Sequence, residues 1–377
     1  MNYNNYLKAI LFALLTTLLL SLFACGSDGA PQPNEPPGDH TPPTTGTADA
    51  GAPDTETDTT QPPAPPETHP WPRTITDQAG RAVTIESPPQ RIVSGFYISS
   101  STIIALGAAD RLVGIEARAG DRPIYALAAP ELLELPSVGT ARDFNLEACL
   151  ELRPDLVVLP YRLRDIADIL WEMGVPAILV NPESLQDLLG MIDLIRQATG
   201  AEDSAEHMKA WFEGAITQLN LKTAAIAERP VVYMCGTASW LTTTPRDMFQ
   251  ASLIDLAGGR NAAGDIEGSA RIDISYEQLL VMNPEVIIIP PEAGFGVDDV
   301  MGDQPLAEIA AVRNGRVYKM PEAFEAWDSP IPSFILGAKW LLSVLHGDIY
   351  AIEDLKHDAA AFYREFYGIE IDTALIS

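Results

Sequence analysis

Residues 202–228 read EDSAEHMKAWFEGAITQLNLKTAAIAE, a stretch without proline and with one interior glycine. Its apolar side chains recur at steps of three, four and seven residues, which places them on one face of an α-helix: Met208, Phe212, Ala215, Leu219 and Ile226. At about 1.5 Å per residue this helix is roughly 40 Å long, enough to cross a small domain. The pattern therefore predicts one long helix in the middle of the chain.

A similar motif stands on each side of this stretch. Residues 145–160 read NLEACLELRPDLVVLP, and residues 275–290 read SYEQLLVMNPEVIIIP. In both copies a glutamate is followed by a leucine, a proline, an acidic residue, an apolar β-branched run and a second proline, at the same spacing. The motif is a helix, a turn and a strand written twice. It predicts two related lobes with the long helix between them.

Strand-like and helix-like segments alternate on both sides of the long helix, as in parallel sheets covered by helices. The predicted fold class is α/β, with two Rossmann-like lobes that each contain a central parallel sheet, one long α-helix that joins them, and a ligand cleft between the lobes. The predicted boundaries are an N-terminal lobe over 73–183, connecting helices over 184–229 and a C-terminal lobe over 230–377.

The first residues have the features of an export signal. A largely apolar run over 9–23 follows Lys8 and is too short for a comfortable membrane span, and the Leu-x-Ala-Cys sequence that ends at Cys25 resembles the bacterial lipobox. We predict a signal peptide over 1–24 and lipidation of Cys25; an uncleaved anchor is the alternative. Residues 25–72 are rich in Pro, Thr and acids and predict a disordered tether outside the cytoplasm.

Composition excludes several function classes. The net charge of −28 argues against nucleic acid as a partner, because nucleic-acid binding requires clustered Lys and Arg. The chain has five histidines, no His/Cys spacing typical of zinc, no Gly-rich phosphate loop and no Gly-x-Ser-x-Gly. We therefore expect no catalytic residues, no resident cofactor and no metal site.

Ligands of open α/β sheets bind beyond the carboxyl ends of the strands. In this chain those segments contain aromatic residues and six arginines, namely Arg118, Arg122, Arg142, Arg162, Arg246 and Arg271. Guanidinium groups offer charge and a fixed fork of donors, so the cluster predicts a pocket for an anionic or oxygen-rich ligand. A solvated or paired surface charge is the alternative for any single arginine. We also expect helix N-termini after Ser101 and Thr244 to add backbone donors. The predicted ligand-binding residues are Tyr97, Arg118, Arg142, Tyr161, Arg162, Trp240, Arg246, Arg271 and Trp327.

Glu147 and Glu277 occupy matching positions near the starts of the two repeated helices. An acid there stabilises a helix N-terminus by about 0.3–1 kcal/mol. The match between the repeats also favours a symmetric acidic contact for a two-fold basic partner. From the residues alone both interpretations stay open.

The segment TDQAGRAVTIESPPQRIVS at 76–94, followed by the motif at 145–160, resembles the class III substrate-binding proteins of ABC importers. The resemblance extends over about 74–367. It implies a carrier of ferric siderophores, haem or cobalamin, or in some members of metal ions or oxyanions such as molybdate. It further implies that the long helix limits hinge motion, that Glu147 and Glu277 pair with arginines of the permease dimer, and that Arg271 lines the cleft. Trp327-Asp328-Ser329-Pro330 resembles the branch for iron complexes. The absence of a cleft histidine disfavours a naked divalent cation.

Together these features predict an extracytoplasmic solute-binding lipoprotein of an ABC importer, which captures an iron complex and delivers it to the permease. We expect a monomer, attached to the bacterial membrane by its lipid anchor, with a small-molecule metal complex and the permease dimer as partners. The alternatives are a binding protein for cobalamin or an oxyanion such as molybdate, and a surface sensor or adhesion lipoprotein without a transport role.

Overall fold

The structure, a computed structural model, describes residues 71–377. The predicted signal peptide, the lipidation site at Cys25 and nearly all of the predicted tether lie outside the described residues. Within 71–377 no helix is both long and apolar enough to cross a membrane.

The N-terminal lobe begins with an antiparallel hairpin and continues as alternating strands and helices. Its elements are β1 (Arg73–Thr76), β2 (Ala82–Ile85), β3 (Ile92–Ser94), α1 (Tyr97–Ala105), β4 (Leu112–Gly114), α2 (Pro123–Ala128), α3 (Leu146–Glu151), β5 (Leu156–Pro160), α4 (Arg164–Glu172) and β6 (Ala177–Val180). Four of the strands form a parallel sheet in the order β4-β3-β5-β6.

Two helices, α5 (Leu185–Thr199) and α6 (Glu202–Thr223), connect this lobe to the C-terminal one. The C-terminal elements are β7 (Val231–Met234), β8 (Thr242–Thr243), α7 (Phe249–Leu256), β9 (Arg260–Asn261), β10 (Ile272–Asp273), α8 (Tyr276–Met282), β11 (Val286–Ile289), α9 (Val297–Gly302), α10 (Ala310–Arg313), β12 (Val317–Lys319), α11 (Phe334–Leu345) and α12 (Ile352–Tyr367). The second parallel sheet has the order β9-β7-β11-β12. The predicted fold class is confirmed, and each lobe builds its sheet in the same strand order. The lobe boundaries themselves stay predictions.

Both faces of each sheet are buried, as parallel sheets require. In β5, Leu156 and Val158 join a large core that runs through both lobes and both connecting helices, whereas Val157 and Leu159 join a smaller core under α3 and α4. The C-terminal sheet alternates in the same way between the large core and a second small one. Because the large core is continuous, the two lobes are packed on shared apolar contacts as well as tethered by the chain.

The repeated motif folds in the same way twice. Asn145 caps α3 and Ser275 caps α8, each by accepting a bond from the third backbone N–H beyond it. Arg153 and Asn283 then take the same left-handed backbone conformation before a proline, with φ of 49° and 40°. Burial is the same residue by residue over 151–160 and 281–290. The sequence repeat is therefore a structural repeat.

The acid of each repeat ties its strand to the next strand of the sheet. Asp155 accepts bonds from the backbone N–H groups of Gln90 and Arg91 at 2.8 Å, and its own N–H donates to the Arg91 carbonyl at 3.0 Å. In the C-terminal lobe, Glu285 accepts the Val231 N–H at 2.8 Å and donates to the Val231 carbonyl at 2.9 Å. Each acid thereby fixes the start of the central strand pair.

The long helix α6 buries the predicted face, including Met208, Phe212 and Leu219, but it ends at Thr223. The prediction that it continues to residue 228 was wrong. After Thr223 the chain turns, with the Ile226 N–H bonded to the Thr223 carbonyl at 3.2 Å, and Ile226 packs on Gly258 so closely that a Cβ there would lie 2.6 Å from its Cδ1. This contact with the C-terminal lobe replaces the last helical turn.

Two predicted helix N-termini are also wrong. Helix α1 begins at Tyr97, so Ser101 lies within it, and Ser99 and Ser100 bond back to the Phe96 carbonyl. Helix α7 begins at Phe249 rather than after Thr244, because the intervening backbone pairs with the loop at 266–268. Neither predicted position supplies free backbone donors.

Candidate ligand-binding site

A cavity of about 280 Å³ lies between the two lobes. The N-terminal lobe lines it with the start of α1, at Tyr97, and with the loop before α2, at Arg122. The C-terminal lobe lines it with the segments that follow β11 and β12, at Glu292 and Glu325. All four segments follow the carboxyl ends of parallel strands, which is where open α/β sheets bind ligands.

Arg122 makes the charged contact across the cavity. Its Nη1 donates to Glu292 Oε1 at 2.5 Å, and its guanidinium stacks 4.0 Å above the Tyr97 ring. Arg122 directly precedes Pro123, the first residue of α2, and the clash with the proline ring holds Arg122 in an extended conformation. The side chain therefore leaves the helix axis and reaches the opposite lobe.

A second contact joins the lobes through hydroxyl groups. The Tyr97 phenol and the Ser329 hydroxyl lie 2.8 Å apart. Burial in the cleft raises the pKa of Tyr97 to about 12, so the phenol stays neutral at physiological pH. The contact is thus an uncharged hydrogen bond beside the charged pair.

Each lobe also buries a carboxylate near the cavity. In the N-terminal lobe, Glu116 accepts bonds from Ser100 Oγ at 2.6 Å and from the Tyr125 hydroxyl at 2.8 Å. Burial raises the pKa of Glu116, although both bonds oppose the change. This carboxylate is satisfied within its own lobe and does not line the cavity.

The counterpart in the C-terminal lobe, Glu325, does line the cavity. Its carboxylate accepts bonds from the hydroxyls of Tyr367 and Tyr363 at 3.2 and 3.3 Å. Burial raises the pKa of Glu325 to about 7, against the effect of these hydroxyls and those of Ser333 and Ser101. The carboxyl group therefore titrates near neutral pH.

Arg271 stands behind this wall of the cavity. Its Nη1 donates to the Cys235 carbonyl at 2.8 Å, and its Nη2 lies 3.6 Å from the buried Asp328 carboxylate. Burial raises the pKa of Asp328 to about 6, with Arg271 acting in the opposite direction. Gln250 donates to the Asp328 carbonyl at 2.9 Å. The arginine thus orders the segment that carries Ser329.

Of the nine predicted ligand-binding residues, the structure brings Tyr97 to the cavity and places Arg271 and Trp327 in or against the segment that follows the cavity-lining Ala326. Tyr97 lines the cavity, and Arg271 forms an ion pair with Asp328. Trp327 follows the cavity-lining Ala326 in the chain and is buried, with its indole N–H 2.9 Å from the Tyr363 hydroxyl. The cavity lining does not include the other six, which are Arg118, Arg142, Tyr161, Arg162, Trp240 and Arg246.

Acidic partners account for several of these six. Arg118 is exposed and pairs with Asp121 at 2.5 Å, and Arg246 is exposed and pairs with Glu267 at 2.6 Å. Trp240 donates its indole N–H to Asp303 at 3.0 Å. Arg142, Tyr161 and Arg162 are exposed. A role for these residues in ligand binding stays a prediction.

Sequence reasoning did not select four residues that form the interlobe contacts and the buried wall, namely Arg122, Glu292, Glu325 and Ser329. Arg122 was one of six arginines at strand ends, and the proline after it was the feature that set it apart. Glu292 and Glu325 had no such feature, because the chain has 52 acidic residues.

The two matched glutamates lie in the first turns of α3 and α8 and are exposed. Bonds from the Glu277 backbone N–H and from Ser275 hold the pKa of Glu277 below its ordinary value. Glu147 borders a shallow surface depression together with Leu146, Leu150 and Glu151. Both carboxylates are thus available at the surface.

Two parallel α/β lobes of equal strand order, a long connecting helix and a cavity at the strand ends define a two-lobed solute-binding protein. The sequence profile of the periplasmic binding protein family matches residues 92–324. The chain belongs to this family, and the resemblance to class III substrate-binding proteins is confirmed.

Known proteins of similar sequence and structure agree with this assignment. The chain is 27% identical over 330 residues to the molybdate-binding protein MolA of Haemophilus influenzae, covering 78% of this chain and 91% of MolA. It is 24% identical over 249 residues to the Fe(3+)-citrate-binding protein YfmC of Bacillus subtilis, covering 65% of this chain and 77% of YfmC. A periplasmic solute binding protein from Veillonella parvula superposes with a TM-score of 0.70 at 25% identity, covering 80% of this chain and 95% of that one.

The protein is therefore a periplasmic substrate-binding protein of an ABC transporter. The family is extracytoplasmic and consists of solute-binding proteins rather than enzymes. Its members differ in their ligands, so the ligand of this chain has to be inferred from the cavity.

Proposed function

We propose that the protein is the receptor of an ABC importer for a compact metal complex, an iron complex above all, and that the interlobe cavity is its binding site. The observation that carries the proposal is the charge of the cavity. Asp121, Glu292, Glu322 and Glu325 line it together with a single basic residue, Arg122.

Such a lining favours a solute with a positive centre and an oxygen-rich surface. Asp121 and Glu322 also pair with basic residues outside the lining, Arg118 and Lys319. The remaining excess of negative charge, carried by Glu292 and by Glu325 when it is ionised, favours a cation over a free anion, and Arg122 offers donors to the oxygen atoms of a chelate. Within 71–377 no three His, Cys, Asp or Glu side chains are grouped so as to hold a metal ion.

The size of the cavity favours a small solute. Sites for drug-sized ligands measure about 300–1,000 Å³, and this cavity has about 280 Å³. It suits a compact chelate or one arm of a larger one. Enclosing a haem or corrinoid would require the lobes to separate at the Arg122–Glu292 and Tyr97–Ser329 contacts.

A small oxyanion is the second candidate. The similarity to MolA, a molybdate-binding protein, extends over 78% of this chain. An oxyanion would bind Arg122 and the hydroxyls of Tyr97 and Ser101, and would displace Glu292 from the arginine. In this case Glu292 competes with the ligand, whereas for a cationic complex it attracts the ligand.

The two candidates predict opposite effects of Glu292→Gln, which removes one charge and keeps the shape. Binding is followed by tryptophan fluorescence with three probes: a cationic ferric trihydroxamate, anionic ferric citrate and molybdate. For a cationic metal complex we expect the wild type to bind the trihydroxamate best and Glu292→Gln to weaken this binding about tenfold, as expected for a charge-assisted contact. Tighter molybdate binding by the variant would instead support the oxyanion.

Glu370→Gln is the matched control, because Glu370 also pairs with an arginine, Arg364, at 2.6 Å but on the exposed C-terminal surface. We expect it to change no affinity more than twofold. If the wild type binds none of the three probes, or binds them with an affinity that Glu292→Gln and Arg122→Gln leave unchanged, the cavity is not the site.

We also propose how the solute is delivered to the permease. We assign Glu147 and Glu277 to contacts with arginines of the permease dimer, Cys25 to lipidation after removal of the signal peptide at 1–24, and the working form to a monomer. The matched, exposed positions of the two glutamates support the docking role.

A further inference from the structure

We propose that Glu325 determines specificity by receiving a hydrogen-bond donor, above all an ammonium group, on an arm of the bound solute. This inference rests on the proposed function, since it places the solute in the interlobe cavity. It goes further because it states a chemical group that the solute must carry and the residue that selects it.

The geometry leaves acceptor capacity on Glu325. The residue is 7% exposed, yet it lines the cavity. An ionised carboxylate accepts about four hydrogen bonds, and the two phenol bonds, at 3.2 and 3.3 Å, are longer than the usual 2.7–2.8 Å for O–H···O. A donor that enters the cavity can therefore bond to Glu325 without displacing a strong partner.

The groups that face Glu325 within 71–377 carry no positive charge. They are hydroxyls from three parts of the fold: Ser101 of α1, Ser333 before α11, and Tyr363 and Tyr367 of α12. The Ser333 hydroxyl is fully buried and has no hydrogen-bond partner in the described part of the chain, although it lies close enough to lower the Glu325 pKa. A buried carboxylate without a cation is unfavourable, and a cationic arm would supply one.

The buried carboxylate of the other lobe needs no further hydrogen-bond donor. Glu116 accepts bonds of 2.6 and 2.8 Å from Ser100 and Tyr125, and it lies outside the cavity lining. Two carboxylates of similar burial thus differ in one respect: Glu116 is satisfied by its own lobe, and Glu325 faces the space where the solute binds. This difference assigns the recognition role to Glu325.

The expected consequence is strong discrimination against solutes without the donor. A site that holds a polar group for a ligand donor rejects an analogue that lacks it more strongly than an apolar site rejects a missing methylene, because the buried group is left unpaired. Two complexes with the same metal core and different arms should therefore bind differently.

A matched pair of probes tests this directly: a linear ferric trihydroxamate that ends in an ammonium group, and its N-acetylated form. We expect the wild type to prefer the ammonium form about tenfold or more, and Glu325→Gln to lose this preference. Glu370→Gln should retain it, because Glu370 lies outside the cavity lining and pairs with Arg364 at 2.6 Å on the exposed surface.

The outcomes separate this inference from the proposed function. Equal binding of both forms by the wild type, or a preference that survives in Glu325→Gln, overturns the role of Glu325 and leaves the proposed function standing. Binding of neither form together with binding of molybdate overturns the proposed function and this inference with it.

A pH series on the wild type keeps the test valid if Glu325→Gln does not fold. Because Glu325 titrates near pH 7, affinity for the ammonium form should rise between about pH 6 and pH 8, and affinity for the acetylated form should not. Asp328, with a pKa of about 6, also titrates in the cleft, so the rise must persist in Asp328→Asn. An equal pH response of the two probes contradicts the inference.

Discussion

The two lobes are alike in their scaffold and unlike in the surfaces that face the cavity. Both have the same strand order, the same capped helix and the same left-handed residue before a proline. At the cavity, however, the N-terminal lobe contributes Arg122, Tyr97 and one carboxylate, that of Asp121, whereas the C-terminal lobe contributes three carboxylates, those of Glu292, Glu322 and Glu325. The repeated segments thus build the sheets, and the unrepeated loops after the strands build the site.

This division explains how one sheet architecture carries different ligand chemistry on its two sides. The acids of the repeats, Asp155 and Glu285, are engaged with backbone N–H groups of neighbouring strands. The acids of the cavity stand on segments that no sheet hydrogen bonds constrain. Substitutions in the repeat should therefore change stability, and substitutions in the loops should change binding.

The largest effect on stability and affinity is expected for a substitution in the long helix α6, because this helix joins the two lobes. Gly214→Pro in α6 removes one helical hydrogen bond and places the proline ring against the preceding turn, which costs about 3 kcal/mol or more. Since α6 contributes Met208 and Phe212 to the core shared by both lobes, ligand affinity should fall together with stability. Urea denaturation and the probe titrations measure the two effects.

Gly214→Ala is the control for this substitution. A Cβ at residue 214 would meet nothing within 4 Å, so the alanine should stabilise the helix by about 0.5–1 kcal/mol and leave affinity unchanged. If Gly214→Pro destabilises the protein but affinity survives, α6 does not set the position of the lobes for binding.

The next largest effect is the pH dependence of stability that the two buried carboxylates, Glu325 and Glu116, cause. Burial raises the pKa of Glu325 to about 7 and also raises that of Glu116, whereas in the unfolded chain a glutamate titrates near about 4.3. Between these values the folded state holds a proton that the unfolded state has lost, so stability falls as pH rises through this range, on the order of 1–3 kcal/mol for Glu325.

Urea denaturation at pH 5 and pH 8 checks this sign. Glu325→Gln should lose less stability than the wild type between the two pH values, and Glu116→Gln should change the slope in the same direction. A Glu325→Gln slope equal to that of the wild type would contradict the burial of an ionisable group at this position.

Much of the scaffold was predictable because it is written in local patterns. The repeat at 145–160 and 275–290 predicted two lobes, and the apolar spacing at 208, 212, 215 and 219 predicted the buried face of α6. Where tertiary contacts override local preference, prediction failed. Helix α6 ends at Thr223 because Ile226 packs on Gly258, and residues 99–101, which look like caps, lie inside α1.

The site was less predictable than the scaffold, since it depends on pairings between distant loops. The contact between Arg122 and Glu292 joins residues 170 positions apart, and that between Tyr97 and Ser329 joins residues 232 apart. No spacing in the sequence distinguishes Glu292 from the other acidic residues of the chain. Arginines that were selected by position, such as Arg118 and Arg246, have acidic partners nearby that the sequence did not identify as such.

A smaller difference in stability is expected between substitutions of the two acidic residues of the repeat, Asp155 and Glu285. Asp155→Ala leaves two backbone N–H groups, those of Gln90 and Arg91, without their acceptor, whereas Glu285→Ala leaves one, that of Val231. At about 0.5–1 kcal/mol for each solvent-accessible bond, Asp155→Ala should be about twice as destabilising. Chemical denaturation of both variants measures the ratio, with Asp155→Asn as the variant that keeps one acceptor oxygen. Equal losses would show that the two acids differ in more than the number of bonds.

The smallest effect on the isolated protein is expected at the docking glutamates. Glu147 and Glu277 are exposed and lie in the first turns of matching helices, so Glu147→Lys and Glu277→Lys should lower the unfolding midpoint only slightly, through the lost charge at the helix N-terminus, and leave the affinity for the solute unchanged. If the proposed docking is correct, each substitution places a lysine against an arginine of the permease and should weaken binding to the purified permease dimer at least tenfold at low salt. The double substitution should weaken it further.

Glu267→Lys reverses a charge on the same lobe as Glu277 but outside the repeat, where Glu267 is exposed and pairs with Arg246, and it should leave permease binding unchanged. If Glu147→Lys, Glu277→Lys and the double substitution all leave permease binding unchanged, the matched glutamates only stabilise their helices. The alternative of a surface sensor or adhesion protein would then be favoured over an importer component. If only one of the two substitutions weakened permease binding, the two lobes would not contact the permease in the same way. A two-fold permease that contacted Glu147 and Glu277 equally would respond to both substitutions. The two single variants thus test whether the repeat is a scaffold or also a docking device.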